Sequence, residues 1–220
     1  SGDTLAKFFD ELGAERAERL ELASIDMSAG YERTLRAYAP QAEIVFDRFH
    51  VARLANDALT EVRREEATRL APSERAALKG TRWILLKRRD RLDADEEATL
   101  AAIQHTNVPV YRASLLKESF LDIFATRSRQ IAERRLRDWL AWASRSRLPP
   151  FVRLARTVRK HLDGILAFID SGLTNARLEG MNNKIRLLSH RAFGFHSADP
   201  LIATIYLCCA GIELPQLHLI

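Results

Sequence analysis

Apolar residues recur along most of this chain at the three- and four-residue intervals of an amphipathic helix. The first such stretch covers residues 4–20, where Leu5, Phe8 and Leu12 fall on one face. The same periodicity dominates after residue 50, and prolines and glycines divide it into segments. We therefore predict helices over residues 51–70, 74–87, 93–105, 110–125, 128–145, 150–170, 174–189 and 199–212.

Two short segments interrupt the helical pattern and predict buried β-strands. One is the apolar run centred on Leu22 to Ile25, which ends in Asp26. The other is AEIVFDRFHV, rich in β-branched and aromatic residues, which carries Asp47. A short helix, stopped by Pro40, separates them. A connection of this length predicts a parallel pair joined by a crossover.

The predicted fold is mostly α with a small α/β part. Because two strands do not make a self-sufficient sheet, we expect the chain to be the C-terminal part of an α/β domain whose other strands lie upstream. We predict a partial core over residues 1–72, an all-helical insertion over 73–172, and C-terminal helices over 173–220 that complete the core.

Composition excludes several protein classes. Hydrophobic residues make up 47% and charged residues 29%, as in globular proteins. No apolar run reaches the ~18 residues of a membrane span, and the N-terminal residues lack the apolar block of a signal peptide. The two cysteines, Cys208 and Cys209, are adjacent and offer neither a disulfide framework nor a zinc site. We predict a cytoplasmic protein without a membrane partner.

Positive charge is concentrated in one part of the chain. The net charge is +5, yet residues 127–196 hold 15 basic and five acidic side chains. That region therefore carries +10 and the remainder −5. A basic region beside an acidic one is typical of a protein that binds a polyanion such as nucleic acid.

Two carboxylates lie at or near the C-terminal ends of the predicted strands, and Asp26 is placed where open α/β sheets bind their ligands. Asp26 alternatively only caps the helix that begins at the Ser-Ala-Gly turn. Asp47 lies with Arg48 and His50 in an otherwise apolar run, and buried charge is costly unless it is paired or binds a metal. The alternative is a pair of Asp47 with Arg48 or His50 that orders the strand-to-helix turn.

A polar stripe on the predicted helix over residues 174–189 is the third candidate site. It consists of Glu179, Asn182, Asn183 and Arg186, at intervals that place them on one face. Asparagine is a poor helix former, so its repetition indicates a purpose such as contact with phosphates or bases near a metal ligand. An ordinary solvated face is the alternative. The following loop, residues 189–197, suits either nucleic-acid contact or helix packing.

These residues resemble the ISL-three family of bacterial insertion-sequence transposases, members of the DDE superfamily with an RNase H-like fold. SIDMSAGY, PQAEIVFDRFHVARLAN and TNARLEGMNNKIRLLSHRAFGF carry the resemblance in this order, with a helical insertion between the last two. It covers essentially the whole chain and implies an enzyme that cuts and joins DNA phosphodiester bonds with two Mg²⁺ (or Mn²⁺) ions. Residues 1–72 are then a partial RNase H-like core.

The resemblance also implies roles for individual residues. Asp26 matches the second catalytic Asp and Glu179 the catalytic Glu, and both are then metal ligands. Asp47 and His50 match a D-x-x-H signature with a supporting role. Further supporting residues are Asn182 and Asn183. The predicted DNA-binding residues are Arg177, Lys184, Arg186, His190 and Arg191.

Transposon-end double-stranded DNA is the partner that the resemblance implies. The insertion then contacts this DNA or shapes the hairpin or synaptic complex, and its basic second half, residues 127–160, is consistent with that. Self-association and a place near the bacterial nucleoid are further expectations. The first catalytic Asp belongs on the first strand, and Asp3 and Asp10 lie on an amphipathic helix instead. We therefore expect two of the three carboxylates and no activity from this chain alone. The alternatives are a catalytically inactive, transposase-derived DNA-binding module and a purely structural helical domain.

Overall fold

The computed structural model describes residues 2–72, 75, 78–173, 176–192 and 194–209. The strands are β1 (Leu22–Ile25) and β2 (Glu43–Phe46). The helices are α1 (Gly2–Leu12), α2 (Ala14–Glu18), α3 (Ala29–Tyr38), α4 (Arg48–Arg69), α5 (Arg82–Leu86), a 3₁₀ turn (Arg89–Arg91), α6 (Ala94–Thr106), α7 (Val108–Ile123), α8 (Arg129–Ser144), α9 (Pro149–Lys160), α10 (Leu162–Ser171), α11 (Ala176–Arg191) and α12 (Ala198–Cys209). The predicted mostly-α fold with a small α/β part is confirmed.

The two strands form a parallel pair with α3 as the crossover. Leu22 lies opposite Glu43 and Ile25 opposite Phe46. Helix α3 ends two residues before Pro40, whose ring and missing N–H are incompatible with a continuing helix. In the described part of the chain, the sheet has these two strands only. The predicted strand–helix–strand unit is therefore confirmed.

The chain divides into two compact units, residues 1–173 and residues 174–220. In the first, α4 packs against α7 and α9, while α8 packs against α7, α9 and α10. In the second, α11 packs against α12. The predicted boundary between residues 72 and 73 falls inside the first unit and stays a prediction. No helix in the described ranges is long and apolar enough to span a membrane.

One predicted helix is two helices in the structure. The periodicity of residues 150–170 predicts a single helix, but α9 ends at Lys160 and α10 begins at Leu162. His161 lies between them and is buried, with its ring edge-to-face on Phe46 at a centroid distance of 4.9 Å. This tertiary contact coincides with the break, and nothing in the local sequence pattern signals it.

Helix α10 approaches β2 at a glycine. A Cβ added at Gly164 would lie 2.5 Å from Cδ2 of Phe46 and 3.0 Å from the carbonyl oxygen of Ile44. Phe46 is itself buried, so its ring has little room to move. Gly164 therefore allows the helix backbone to lie directly on the strand, which docks the helical part of the first unit onto the sheet.

Replacing Gly164 by alanine should destabilise the protein. Overpacking against Phe46 costs about 1–3 kcal/mol, which outweighs the gain of up to about 1 kcal/mol in helix propensity. Urea unfolding measures the difference. Gly180→Ala is the matched control and should leave stability unchanged or raise it, because among the described residues no atom outside its own stretch of helix backbone lies within 4 Å of the added Cβ. Equal stability of the two variants would contradict the close approach.

The stability of the protein should also depend on the protonation of His161. Burial lowers the pKa of His161 from 6.5, and nearby Lys160 lowers it further, although Glu32 raises it. The unfolded chain then binds the proton more readily, so stability falls as pH drops below the unfolded value. His161→Gln should show a shallower loss of unfolding free energy between about pH 7.5 and 5.5 than the unsubstituted protein. His105→Gln, at an exposed position on α6, is the control and should change nothing.

Candidate active site at the strand ends and a polar helix

Asp26 and Asp47 lie side by side at the carboxyl edge of the parallel pair. Each directly follows the last residue of its strand, and Ile25 lies opposite Phe46. The backbone N–H of Asp47 donates to the carbonyl oxygen of Ile25 at 3.4 Å, which extends the pairing one step beyond the strands. Because the strands run parallel, both carboxylates belong to the edge where such sheets bind ligands.

Asp26 is half-buried and is only partly engaged by the protein. Its Oδ1 accepts a hydrogen bond from the backbone N–H of Ser28 at 3.1 Å, which orders the turn into α3. Among the described residues, Oδ2 has no hydrogen-bond partner. Asp26 thus orders the turn before α3, whose N-cap residue is Ser28, and its second oxygen is available to a ligand.

Asp47 is completely buried and caps α4. Its Oδ1 accepts from the backbone N–H of Phe49 at 3.0 Å, the usual geometry of an Asp at a helix N-terminus. Arg48 lies over the Phe49 ring, 5.7 Å from its centroid. His50 is half-buried in the first turn of the same helix. This backbone donor helps to order the strand-to-helix turn, and the pairing of Asp47 with Arg48 or His50 stays a prediction.

The polar stripe lies on α11, in the second unit. Asn182, Asn183 and Arg186 are exposed, and Nη1 of Arg186 donates to Oδ1 of Asn183 at 3.4 Å. Glu179 belongs to the same helix. The side chains of Glu179 and Arg177 lie outside the described residues.

The remaining predicted DNA-binding residues differ in their surroundings. Nζ of Lys184 donates to the carbonyl oxygen of Cys208 at 2.7 Å, so it joins α11 to α12. His190 and Arg191 are exposed at the C-terminal end of α11. All three assignments stay predictions.

Asp26, Asp47 and His50 lie in one region of the first unit, while Glu179 belongs to the second unit. Within the described residues, no three His, Cys, Asp or Glu side chains form a group that could hold a metal ion. The proximity of Asp26 to Glu179 stays a prediction. Carboxylate oxygens are nevertheless the donors that Mg²⁺ prefers, and Oδ2 of Asp26 fits that requirement.

Helix α9 lies within the basic second half of the predicted insertion, for which the family resemblance already implies DNA contact. Helix α9 contains four basic and no acidic residues among its 12. Its charge was visible only as part of the wider basic region. The feature that distinguishes this helix is that all four of its basic residues are exposed.

Asp47 should stabilise the fold as a helix cap. Asp47→Ala should lower the free energy of unfolding by about 0.5–2 kcal/mol, because the N–H of Phe49 loses its acceptor. Asp47→Asn should retain most of that stability, since the amide oxygen also accepts at this position. Urea unfolding of the two variants measures the difference. If Asn is as destabilising as Ala, the capping assignment is wrong.

Comparison with known proteins gives one consistent result. A family model described as Transposase, that of the ISL-three type of DDE transposases, matches residues 1–205. The chain is 37% identical over 240 residues to the transposase for insertion sequence element IS1557 of Mycobacterium tuberculosis, covering 98% of this chain and 54% of that protein. It is 30% identical over 202 residues to the transposase for insertion sequence element IS1001 of Bordetella parapertussis, covering 90% and 50%. The chain thus spans about half the length of these relatives. No solved structure matches.

Proposed function

Because the chain belongs to the ISL-three family of DDE transposases, we propose that it forms part of an enzyme that cuts and joins DNA phosphodiester bonds during transposition. One observation carries the proposal: Asp26 and Asp47 follow adjacent parallel strands at their carboxyl ends. Ligands of open α/β sheets bind at this edge, and carboxylates there suit a metal-dependent reaction on phosphate esters.

Asp26 and Glu179 are the proposed catalytic carboxylates and metal ligands. Oδ2 of Asp26 has no partner among the described residues, and oxygen donors suit Mg²⁺ or Mn²⁺. When bound, such ions activate water or a DNA 3′-hydroxyl and stabilise the leaving oxygen. The hydrogen bond from Ser28 to Oδ1 orients the Asp26 carboxylate for this role.

Asp47 and His50 are the proposed positioning residues of the site. Asp47 fixes the start of α4 through the N–H of Phe49, and its own N–H is bonded to Ile25. Asp47 therefore holds the backbone next to Asp26. His50 follows in the first turn of α4, where a half-buried imidazole can donate to or accept from a group at the strand ends.

The polar stripe of α11 is the proposed contact with DNA close to the reacting phosphate. Asn182 and Asn183 are exposed amides beside Arg186, a combination that suits hydrogen bonds to phosphate oxygens and base edges. The other proposed DNA contacts are Arg177, Lys184, His190 and Arg191. Transposon-end duplex DNA is the proposed substrate, and a self-associated protein the proposed active form.

A catalytically inactive DNA-binding module is the second candidate. It is favoured by the hydrogen bonds that Asp26 and Asp47 make to backbone N–H groups, because these stabilise the turns whether or not a metal binds. Both candidates predict DNA binding that weakens steeply with salt, since bound phosphates release counterions. They differ in whether cleavage occurs and depends on a divalent metal.

Substitution of the carboxylates in a full-length transposase that carries this chain tests the proposal. Asp26→Asn and Glu179→Gln should each reduce Mg²⁺-dependent cleavage of transposon-end DNA by about 100- to 1,000-fold, because each removes a charged ligand. Gel-based cleavage assays measure the rate, and DNA affinity should change little.

Asp95→Asn and Glu97→Gln on α6 are matched controls at exposed positions and should cleave normally. Normal cleavage by Glu179→Gln would exclude the assigned role. Salt-sensitive DNA binding without any metal-dependent cleavage in the unsubstituted protein would favour the inactive binding module.

A further inference from the structure

Helix α8 exposes a row of four residues of mixed chemistry along one side. We call this row the α8 stripe; it consists of Ile131, Arg135, Asp138 and Trp142, all exposed. The two large apolar side chains at its ends are 39% and 36% exposed. Intervals of four, three and four residues place the members on one face. Helices that pair in coiled coils contact each other at the same intervals.

The α8 stripe is not part of the core of its own chain. Helix α8 packs into the core through a different set of residues, Ala132, Leu136, Trp139, Leu140 and Ala143. A solvated helix face is normally covered with charged residues, whereas this one has an isoleucine at one end and a tryptophan at the other. The exposed apolar side chains indicate a contact with another molecule.

The two charges in the middle of the stripe are not paired within the chain. Among the described residues, the Asp138 carboxylate makes no hydrogen bond or ion pair. The Arg135 guanidinium reaches only the carbonyl oxygen of Asp122, at 3.5 Å. By contrast, Arg137 of the same helix pairs with Glu133 at 2.9 Å. The stripe therefore presents one unpaired cation and one unpaired anion next to each other.

A groove borders the stripe between α7 and α8. Its volume is about 700 Å³. Arg135, Asp138 and Trp142 line it on the α8 side, and Ser119 and Asp122 line it on the α7 side. The stripe thus lies at the edge of a concave surface, and a helix that packed along it would also contact α7.

The order of residues in the stripe is complementary to its own reverse. If a second α8 lay antiparallel across the midpoint of the first, Ile131 of each helix would meet Trp142 of the other. By the same symmetry, Arg135 of each would meet Asp138 of the other. Every contact would occur twice, as in a two-fold symmetric interface. Each apolar side chain would then face an apolar one, and each charge would face its opposite.

We infer that the α8 stripe is the surface through which two copies of this chain associate, with their α8 helices antiparallel. The inference rests on the self-associated form in the proposed function and names the surface that this form uses. Tryptophan and arginine are enriched at protein interfaces and carry much of their binding energy, and the stripe contains one of each.

Other occupants fit the α8 stripe less well. A DNA backbone would meet the carboxylates of Asp122 and Asp138 in the groove, and these repel phosphates. A membrane-binding helix needs a continuous apolar face, but two charged residues separate Ile131 from Trp142. A second copy of the chain carries the complementary pattern by symmetry alone.

Sedimentation equilibrium of the whole chain over a range of concentrations tests the inference. The unsubstituted chain should dimerise. Arg135→Glu and Asp138→Arg should each weaken the dimer by about 10- to 100-fold, because both cross-helix pairs become like-charged. The matched control is Arg53→Glu, which reverses a charge at an exposed position on α4 and should leave dimerisation unchanged.

A mixture of the Arg135→Glu and Asp138→Arg proteins separates an interface effect from a folding defect. In the mixed dimer, positions 135 and 138 again bring opposite charges together at both contacts. The mixture should therefore dimerise about as tightly as the unsubstituted chain, although neither component does so alone. Energy transfer between differently labelled components measures the mixed dimer. A misfolded variant would not be rescued in this way.

Trp142→Ala tests the apolar end of the stripe. It should weaken the dimer by about 30-fold or more, since the contact is lost twice. Trp83→Ala is the matched control, because this tryptophan on α5 is 67% exposed and lies outside the stripe, and it should dimerise normally. Urea unfolding of both variants checks that the fold is retained.

Three outcomes overturn the inference: a monomeric unsubstituted chain, equal weakening by Arg53→Glu, or no mixed dimer from the two charge-reversed proteins. A dimer that is unaffected by Arg135→Glu also overturns it, because association then uses another surface. These results are independent of the proposed catalytic function, which is tested by metal-dependent cleavage and its loss in Glu179→Gln. Dimerisation through the stripe without any such cleavage would support this surface and contradict the proposed function.

Discussion

The architecture of the first unit depends on the contact between α10 and β2 at Gly164. A short two-stranded sheet is marginal by itself, and this pair is stabilised by the helices that cover it. The three apolar residues of β2 are buried, whereas β1 is only partly buried along its length. Because α10 also packs against α8, the same contact ties the strand that carries Asp47 to the helical body. The helical part is therefore a structural support of the strand ends.

The carboxylates of Asp26 and Asp47 stabilise the local fold whether or not they take part in a reaction. Asp26 and Asp47 each accept a hydrogen bond from a backbone N–H two residues later, which fixes both turns leaving the sheet. Such bonds preorganise the side chains, because a carboxylate already held in one rotamer loses less conformational freedom when a ligand arrives. The turn-ordering role and the proposed catalytic role are consequently compatible, and stability alone does not distinguish an active enzyme from an inactive relative.

The sequence predicts local features of this protein well and tertiary ones poorly. The parallel pair with Asp26 and Asp47 behind it follows from short-range patterns, since strand composition and crossover length are encoded locally. The break at His161 does not, because the helical periodicity continues through it and the contact with Phe46 is long-range. Likewise, Gly164 is an ordinary helical glycine in the sequence, and only the neighbouring strand reveals its purpose. The proposed role of Glu179 rests on its place in the predicted polar stripe and on the family resemblance, since its side chain lies outside the described residues.

Helix α4 connects the strand ends to the rest of the first unit as one continuous element. Its 22 residues begin directly after Asp47 and extend for about 33 Å, at about 1.5 Å per residue. Along its length it contacts both α7 and α9. A tilt of α4 by about 5° around one of its ends displaces the other end by roughly 3 Å, given the same rise per residue. Because α4 begins directly after Asp47, a displacement of the helix along this length would also move the backbone of Asp47.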